Sequence, residues 1–173
     1  MLTVASRLVV SRVGTPLAPV ILVTDEEGAV LALDFADFED RLRRLLLRYH
    51  GPVAPAPGDP PRAVAEALAA YFDGEVTALD RLSVRMGGTP FQRSVWSALR
   101  AIPAGETRSY GVLAASLGTP KAVRAVGLAN GANPVALIVP CHRVIGASGA
   151  LTGYAGGVAR KAWLLRHEGV LAG

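Results

Sequence analysis

The sequence predicts an α+β fold, in which a small antiparallel sheet with helices precedes a mostly helical second half. Two apolar runs, "PVILVT" (19–24) and "AVLALDF" (29–35), flank a turn that contains Gly28, as in a β-hairpin. The later periodic segments repeat their apolar residues at helical spacing. Strands followed by helices are typical of α+β domains rather than of alternating α/β folds.

The rest of the first half consists of two amphipathic helices and a loop. Residues 37–50 form the first helix, whose apolar face has four members: Phe38, Leu42, Leu45 and Leu46. Residues 51–61 contain five prolines and are predicted to be loop. Residues 62–72 form the second helix, which ends at Asp73-Gly74. No catalytic constellation is visible here, so this half is interpreted as structural.

After Gly87-Gly88 the character of the chain changes, which predicts one subdomain over residues 1–86 and a second domain over residues 87–173. Thr89 is placed to cap a helix with Pro90 at its first position. The apolar stripe of that helix has four members: Phe91, Val95, Leu99 and Ile102.

Two shorter helices follow and predict a helix-turn-helix. Ser109 caps the first, which ends near Leu117, and the second runs from Lys121 to about Asn130. The second helix consists mainly of small residues, so its backbone can approach another surface closely. Arg124 is the long cationic side chain in its middle.

Charge is divided unevenly along the 173 residues. Residues 1–85 carry nine Lys or Arg and twelve acids, a net charge of −3. Residues 86–173 carry nine Lys or Arg but only two acids, Glu106 and Glu168, a net charge of +7. This asymmetry indicates a half that binds a polyanion beside a half that does not, and nucleic acid is the commonest polyanion.

The single cysteine limits the function classes. One Cys excludes an internal disulfide framework and a zinc site built from several thiolates. No long apolar run predicts a membrane span, and the N-terminal residues do not resemble a signal peptide. We expect a reducing, cytoplasmic location.

Cys141 and His142 suggest covalent chemistry rather than an inert core thiol. An imidazole titrates near neutrality and can accept a thiol proton, either directly, if the backbone turns there, or through a bridging water. Glu168 shares one helix face with Lys161 and Leu165. A carboxylate in that place can hold the imidazole in one tautomer, as in a catalytic triad. The neighbouring His167 is interpreted as an exposed helix-end residue.

Four motifs together resemble the alkylguanine-DNA alkyltransferases, also called methylated-DNA–protein-cysteine methyltransferases, of the bacterial type. They are "SYGVLA", "RAVGLANGANP", "PCHRVIG" and "GYAGGVARKAWLLRHEG". The resemblance runs from Gly88 to Gly169, whereas the first half resembles the family only in length and element order. It implies a ribonuclease-H-like first subdomain and a winged-helix-like DNA-binding domain. It also implies repair of an alkyl group, methyl above all, on guanine O6 or thymine O4.

The resemblance assigns catalytic roles to four residues. Cys141 would be the nucleophile, His142 would take its proton through a water, and Glu168 would complete the relay. Tyr110 would donate to guanine N3. The product is a thioether, which no second cysteine can release, so each molecule would react once and without a cofactor or metal.

Further residues would hold double-stranded DNA and the damaged base. Arg124 would replace the flipped-out nucleotide in the minor groove. Asn133 would brace the turn before the cysteine. The remaining expected binding residues surround the base pocket and come from the cysteine segment, the glycine loop 153–157 and the final helix: Val144, Tyr154, Ala155, Gly156 and Lys161. The protein would act as a monomer.

Three alternatives belong to other functional classes. A lesion-binding relative without transfer activity would lack the nucleophile, which Cys141 supplies. A cysteine hydrolase would have no use for Arg124 in a helix-turn-helix, and a transcription factor would leave Cys141, His142 and Glu168 unexplained. Some family members carry Ser at the position of Ala155, which affects lesion preference rather than activity.

Overall fold

The computed structural model describes residues 7–170 and shows an α+β arrangement of six strands and six helices within that range. The strands are β1 (Val9–Val13), β2 (Val20–Thr24), β3 (Val30–Phe35), β4 (Ala56–Pro57), β5 (Arg108–Ser109) and β6 (Val144–Ile145). The helices are α1 (Glu39–His50), α2 (Arg62–Phe72), α3 (Pro90–Arg100), α4 (Tyr110–Ser116), α5 (Val123–Gly131) and α6 (Val158–His167). Short 3₁₀ turns cover Ala36–Phe38, Ala78–Arg81 and Cys141–Arg143. The α+β prediction is therefore confirmed.

The main sheet has the order β3-β2-β1-β4, and the predicted hairpin is its β2–β3 pair. Strand β2 is antiparallel to both of its neighbours, whereas β4 runs parallel to β1. Every residue of β2 and β3 is buried because both faces of these strands are covered. Ile21 and Val23 pack with α1 residues on one face, while Val20 and Leu22 join the main core on the other.

The loop prediction for residues 51–61 is wrong at β4. The ladder to β1 uses the N–H groups of Ala56 and Gly58, which donate to the carbonyls of Leu8 and Val10 at 2.9 and 3.0 Å. Pro57 lies between these two donors, so its missing N–H interrupts no hydrogen bond. A two-residue edge strand of this kind leaves no periodic pattern in the sequence.

The helical predictions for the second half are confirmed with one shift. Thr89 and Gln92 form a reciprocal capping box at the start of α3, with hydrogen bonds of 3.1 and 3.0 Å. Ser109 caps α4 through the N–H of Val112. Helix α5 begins at Val123 rather than at Lys121, because a turn closed by the Ala122 N–H and the Thr119 carbonyl comes first.

One hydrophobic core extends across residue 86 and joins the two halves. At the edge of β3, Leu33 donates to the carbonyl of Pro134 at 3.0 Å and accepts from Ala136 at 2.9 Å. The segment that leads to the cysteine is therefore hydrogen-bonded to the sheet of the first half. Within residues 7–170, no helix has the length and apolar character that crossing a membrane requires.

Candidate active site

The segment before Cys141 is held by Asn133. Its side-chain amide donates to the carbonyl of Val139 at 2.8 Å, and its side-chain oxygen accepts from the N–H of Val135 at 3.0 Å. Between these contacts Leu137 adopts a φ of 69°, a conformation that non-glycine residues rarely adopt. The hydrogen bonds of the segment to β3 and to Asn133 offset that local strain and deliver the chain to the 3₁₀ turn that begins at Cys141.

Cys141 is a neutral thiol at rest. Its residue exposure is 7%, and burial raises the pKa of the thiol. A hydrogen bond from Asn133 and the charges of Arg41 and Lys161 oppose that rise without overcoming it. Because the thiolate is the nucleophilic form, Cys141 needs a base to become reactive.

His142, the next residue, has the chemistry to act as that base. Its ring is fully buried, and Nε2 lies 2.8 Å from Oε2 of Glu168. Burial lowers the pKa of His142, although the contact with Glu168 opposes the fall. The imidazole is therefore neutral at neutral pH. With Nε2–H donating to the carboxylate, Nδ1 carries a lone pair, and this buried atom has no hydrogen-bond partner among residues 7–170.

Glu168 is the anion at the centre of the site. Besides His142, it accepts from Arg143, whose Nε and Nη2 lie 2.8 and 3.1 Å from the two carboxylate oxygens. The Tyr71 hydroxyl donates to Oε2 at 2.6 Å. Burial alone would raise the pKa of Glu168, but His142 and Arg143 lower it to about 2. Glu168 thus stays ionised and orients His142 without taking its proton.

Sequence reasoning missed Arg143 and Tyr71. Arg143 follows the cysteine by two residues, within a mostly apolar segment, and this position could have identified it. An arginine there is buried, and a buried cation requires an anionic partner. Tyr71 lies in α2, 97 residues from Glu168, and no local pattern connects the two.

The prediction that His167 is an exposed helix-end residue is wrong. The ring is half-buried and stacks on Trp163, with 5.0 Å between centroids. Its Nε2 donates to the backbone carbonyl of Tyr71 at 2.6 Å. His167 therefore helps to hold the residue whose hydroxyl donates to Glu168.

Lys161 connects Val144, three residues after the cysteine, to Thr152, the residue directly before the glycine loop 153–157. Its ammonium is fully buried and donates to the carbonyls of Val144 and Thr152. Burial lowers the pKa of Lys161, and the neighbouring Cys141 opposes that change. Val144 itself is completely buried, and its contact with Lys161 is made by its backbone carbonyl.

Tyr110 and the loop over residues 153–157 lie next to the thiol. The Tyr110 hydroxyl donates to the carbonyl of Thr152 at 3.4 Å, and burial followed by the nearness of Cys141 raises its pKa. Tyr154 lies with its ring centroid 6.5 Å from that of His142, and its buried hydroxyl has no partner among residues 7–170. Gly156 has no room for a side chain, because a Cβ there would come within 2.8 Å of the Phe35 ring.

Arg124 lies outside this cluster. It is exposed on α5, on the side opposite the buried residues Val126, Ala129 and Asn130. Its side chain makes no hydrogen bond or ion pair within the described part of the chain. Helix α5 therefore presents a free guanidinium to solvent.

Comparison with known proteins matches residues 90–170 to the family described as 6-O-methylguanine DNA methyltransferase, DNA binding domain. A methylated-DNA–protein-cysteine methyltransferase from Salmonella typhimurium is 52% identical over 167 residues, covering 95% of this chain and 98% of that protein. One from Methanosarcina acetivorans is 46% identical over 156 residues, covering 90% and 94%. The chain belongs to this family.

Solved structures extend the similarity to three dimensions. The crystal structure of Mycobacterium tuberculosis OGT in complex with DNA has a TM-score of 0.79 and 42% identity, covering 92% of this chain and 91% of that one. The methyltransferase from Pyrococcus kodakaraensis has a TM-score of 0.68 and 29% identity, covering 94% and 99%. The expectation that the first half resembles the family only in length and element order was too narrow, since the relatives match nearly the whole chain.

Over residues 7–170, no group of three or more His, Cys, Asp and Glu side chains is arranged to hold a metal ion. Among the acids in this range, Glu168 is held by hydrogen bonds from His142 and Arg143.

The ionised Glu168 makes the stability of the methyltransferase depend on pH. Its pKa falls from 4.5 to about 2 on folding, so its contribution is present above pH 4.5 and is lost as the pH falls towards 2. The shift corresponds to about 3 kcal/mol. As the pH falls from 4.5 to 2, the free energy of unfolding should therefore decrease by about 3 kcal/mol less in Glu168→Gln than in the wild type. Urea denaturation at the two pH values measures both decreases.

The control for this measurement is Glu66→Gln. Glu66 is an exposed partner of Arg62, with 64% of its side chain accessible, so its removal should leave the acid-dependent decrease as in the wild type. Equal decreases in Glu168→Gln and wild type would contradict the proposed ionisation.

Proposed function

We propose that this chain repairs DNA by transferring an alkyl group from O6 of guanine to Cys141, once per molecule and irreversibly. The observation that carries the proposal is the buried relay: a neutral His142, oriented by the anion Glu168, directly follows a thiol that needs a base. The family, whose named members are methylated-DNA–protein-cysteine methyltransferases, supplies the substrate class.

The chemical step is a displacement at the alkyl carbon. The thiol proton of Cys141 passes to Nδ1 of His142 through a water, and the sulfur attacks the carbon opposite the guanine oxygen. The carbon–sulfur bond forms while the carbon–oxygen bond breaks, and the bonding electron pair leaves with O6. A proton donated at N3 by Tyr110 neutralises the departing base. The thioether product is stable, so the protein is consumed.

The base must leave the duplex before this step. An alkyl group on O6 lies inside the double helix, where a buried sulfur cannot reach it. We infer that α5 enters the minor groove and that Arg124 fills the space of the extruded nucleotide. Its exposed and unpaired guanidinium, on a helix of mostly small residues, supports this role.

The extruded base would be bound between Tyr110 and the loop of residues 153–157. Tyr154, Ala155 and Gly156 belong to that loop, and the Tyr154 ring lies beside His142. Lys161 joins Val144 to Thr152, the residue directly before the loop, by one hydrogen bond to each carbonyl. Asn133 would keep the cysteine turn in place during transfer. Thymine alkylated at O4 is a second substrate of the same chemical kind.

We also infer the finer architecture. A sheet of order β3-β2-β1-β4, with β4 parallel to β1, supports a ribonuclease-H-like first subdomain over residues 1–86. Helices α3 to α5 beside the β5–β6 pair support a winged-helix-like domain over residues 87–173. We expect a monomer that uses no cofactor and acts in a reducing compartment.

A lesion-binding protein without transfer activity is the competing function. Such a protein gains nothing from a buried carboxylate that orients an imidazole beside a cysteine. Glu168 with four donors around it is costly to bury and is better explained by proton transfer from Cys141.

Incubation with a duplex containing O6-methylguanine should add one methyl group to Cys141, because the thioether has no route of release. Intact-mass spectrometry and peptide mapping measure the adduct. Cys141→Ser serves as the control that should remain unmodified. Repeated turnover, an adduct elsewhere, or a wild-type protein that stays unmodified would contradict the proposal.

Arg124→Ala should slow repair of the methylated duplex by about tenfold or more, because unstacking a base costs a few kcal/mol that the arginine would offset. Its reaction with free O6-benzylguanine should remain near the wild-type rate, since no base has to be flipped. Single-turnover rates on both substrates measure this difference.

Arg62→Ala is the matched control, because Arg62 is an exposed arginine of α2 that pairs with Glu66. Its rates on both substrates should equal those of the wild type. If Arg124→Ala slowed both reactions to the same extent, the insertion role would have to be abandoned.

A further inference from the structure

Helix α1 of the first half carries arginines on two different flanks. Arg41 lies on the flank next to α5, where its Nη2 donates to the carbonyls of Gly131 and Asn133. Arg43 lies on the other flank and pairs with Glu39 at 3.3 Å. The two flanks of α1 therefore have different neighbours.

Arg44 and Arg48 follow Arg41 by three and seven residues, so helical geometry places them on the flank next to α5. Both are exposed, and neither makes a hydrogen bond or ion pair through its side chain within residues 7–170. Asp40 lies one turn before Arg44, whereas Arg48 has no acid within one turn on either side. Arg48 is therefore the less compensated of the two charges.

A groove with a volume of about 470 Å³ separates α1 from α5. Arg48 lines the wall formed by α1, and Ala125 and Leu128 line the wall formed by α5. Leu128 is 71% exposed and lies one turn after Arg124, so the outward face of α5 is continuous with the groove.

We propose that this groove holds the phosphate backbone of one DNA strand and that Arg48, with Arg44 beside it, binds its phosphates. The inference rests on the proposed function, since it takes α5 to be the helix that contacts the duplex. A DNA strand that borders α5 on the side of α1 would meet the exposed guanidinium of Arg48, which has no acidic partner within residues 7–170. A guanidinium binds phosphate oxygens through two parallel hydrogen bonds.

Phosphate binding by Arg48 would give the first half a direct role in DNA binding. The charge count indicated a non-binding half with a net charge of −3, yet one flank of α1 is locally basic. Arginines at this flank would extend the DNA-binding surface from the second half onto the first and would set the position of the duplex relative to Cys141.

The test is the salt dependence of duplex binding by Arg48→Gln. Each phosphate contact contributes about 0.9 to the slope of log affinity against log salt concentration. Removal of one contact should lower the affinity for an undamaged duplex at low salt and reduce the slope by about 1. The ratio of the wild-type affinity to the Arg48→Gln affinity should therefore fall by about threefold between 50 and 200 mM salt. Fluorescence anisotropy measures both quantities.

The matched control is Arg43→Gln, an arginine of the same helix on the opposite flank, which should retain the wild-type slope. Arg48→Gln should also react with free O6-benzylguanine at the wild-type rate, which shows that it is folded and active. An Arg48→Gln slope and affinity equal to those of wild type would overturn the inference while leaving the proposed function intact. A wild-type protein that binds duplex but transfers no alkyl group would instead overturn the proposed function.

Discussion

The site depends on one buried carboxylate. Glu168 accepts hydrogen bonds from Tyr71 of α2 and from His142 and Arg143 of the 3₁₀ turn, which are two separate segments of the chain. A buried charge with fewer partners would be strongly destabilising, so these donors are what allow it to remain ionised at the end of α6. Its ionisation in turn favours the His142 tautomer with the proton on Nε2, so that Nδ1 can accept a thiol proton in the proposed mechanism. In the proposed mechanism, the reactivity of Cys141 therefore depends on how a carboxylate is held 27 residues away in the sequence.

That arrangement also explains why the two halves share a core. The first half contributes Tyr71 to the carboxylate and Arg41 to the carbonyls that precede the cysteine segment. The edge of β3 pairs with the same segment through Leu33. A half that looked structural in sequence thus positions the chemistry of the other half. It also brings the basic flank of α1 alongside α5, where the proposed DNA contact of Arg48 would lie.

Much of the fold was predictable because its signals are local. The capping residues Thr89 and Ser109 and the apolar periodicity identified α3 and α4. The two apolar runs around the Gly28 turn identified β2 and β3 as a hairpin. Strand β4 was not predictable, because two residues within a proline-rich segment carry no periodicity. Helix α5 began later than expected because a single turn precedes it.

The grouping of the site residues was predictable where they are adjacent in sequence, as with Cys141 and His142, or spaced along one helix face, as with Lys161 in α6 and Glu168 directly after it. The contact of Tyr71 with Glu168 was not, because it arises from the packing of α2 against the end of α6. His167 was assigned to solvent for the same reason, since only tertiary structure shows its bond to the Tyr71 carbonyl.

The protonation state of His142 at neutral pH tests the proposed proton relay most directly. Nitrogen-15 NMR of the imidazole, assigned by comparison with a His142→Asn variant, distinguishes the two neutral tautomers from the imidazolium. The proposed relay requires a neutral ring with its proton on Nε2 and a bare Nδ1. A ring protonated on Nδ1, or on both nitrogens, would contradict it, because His142 could then accept no proton from Cys141.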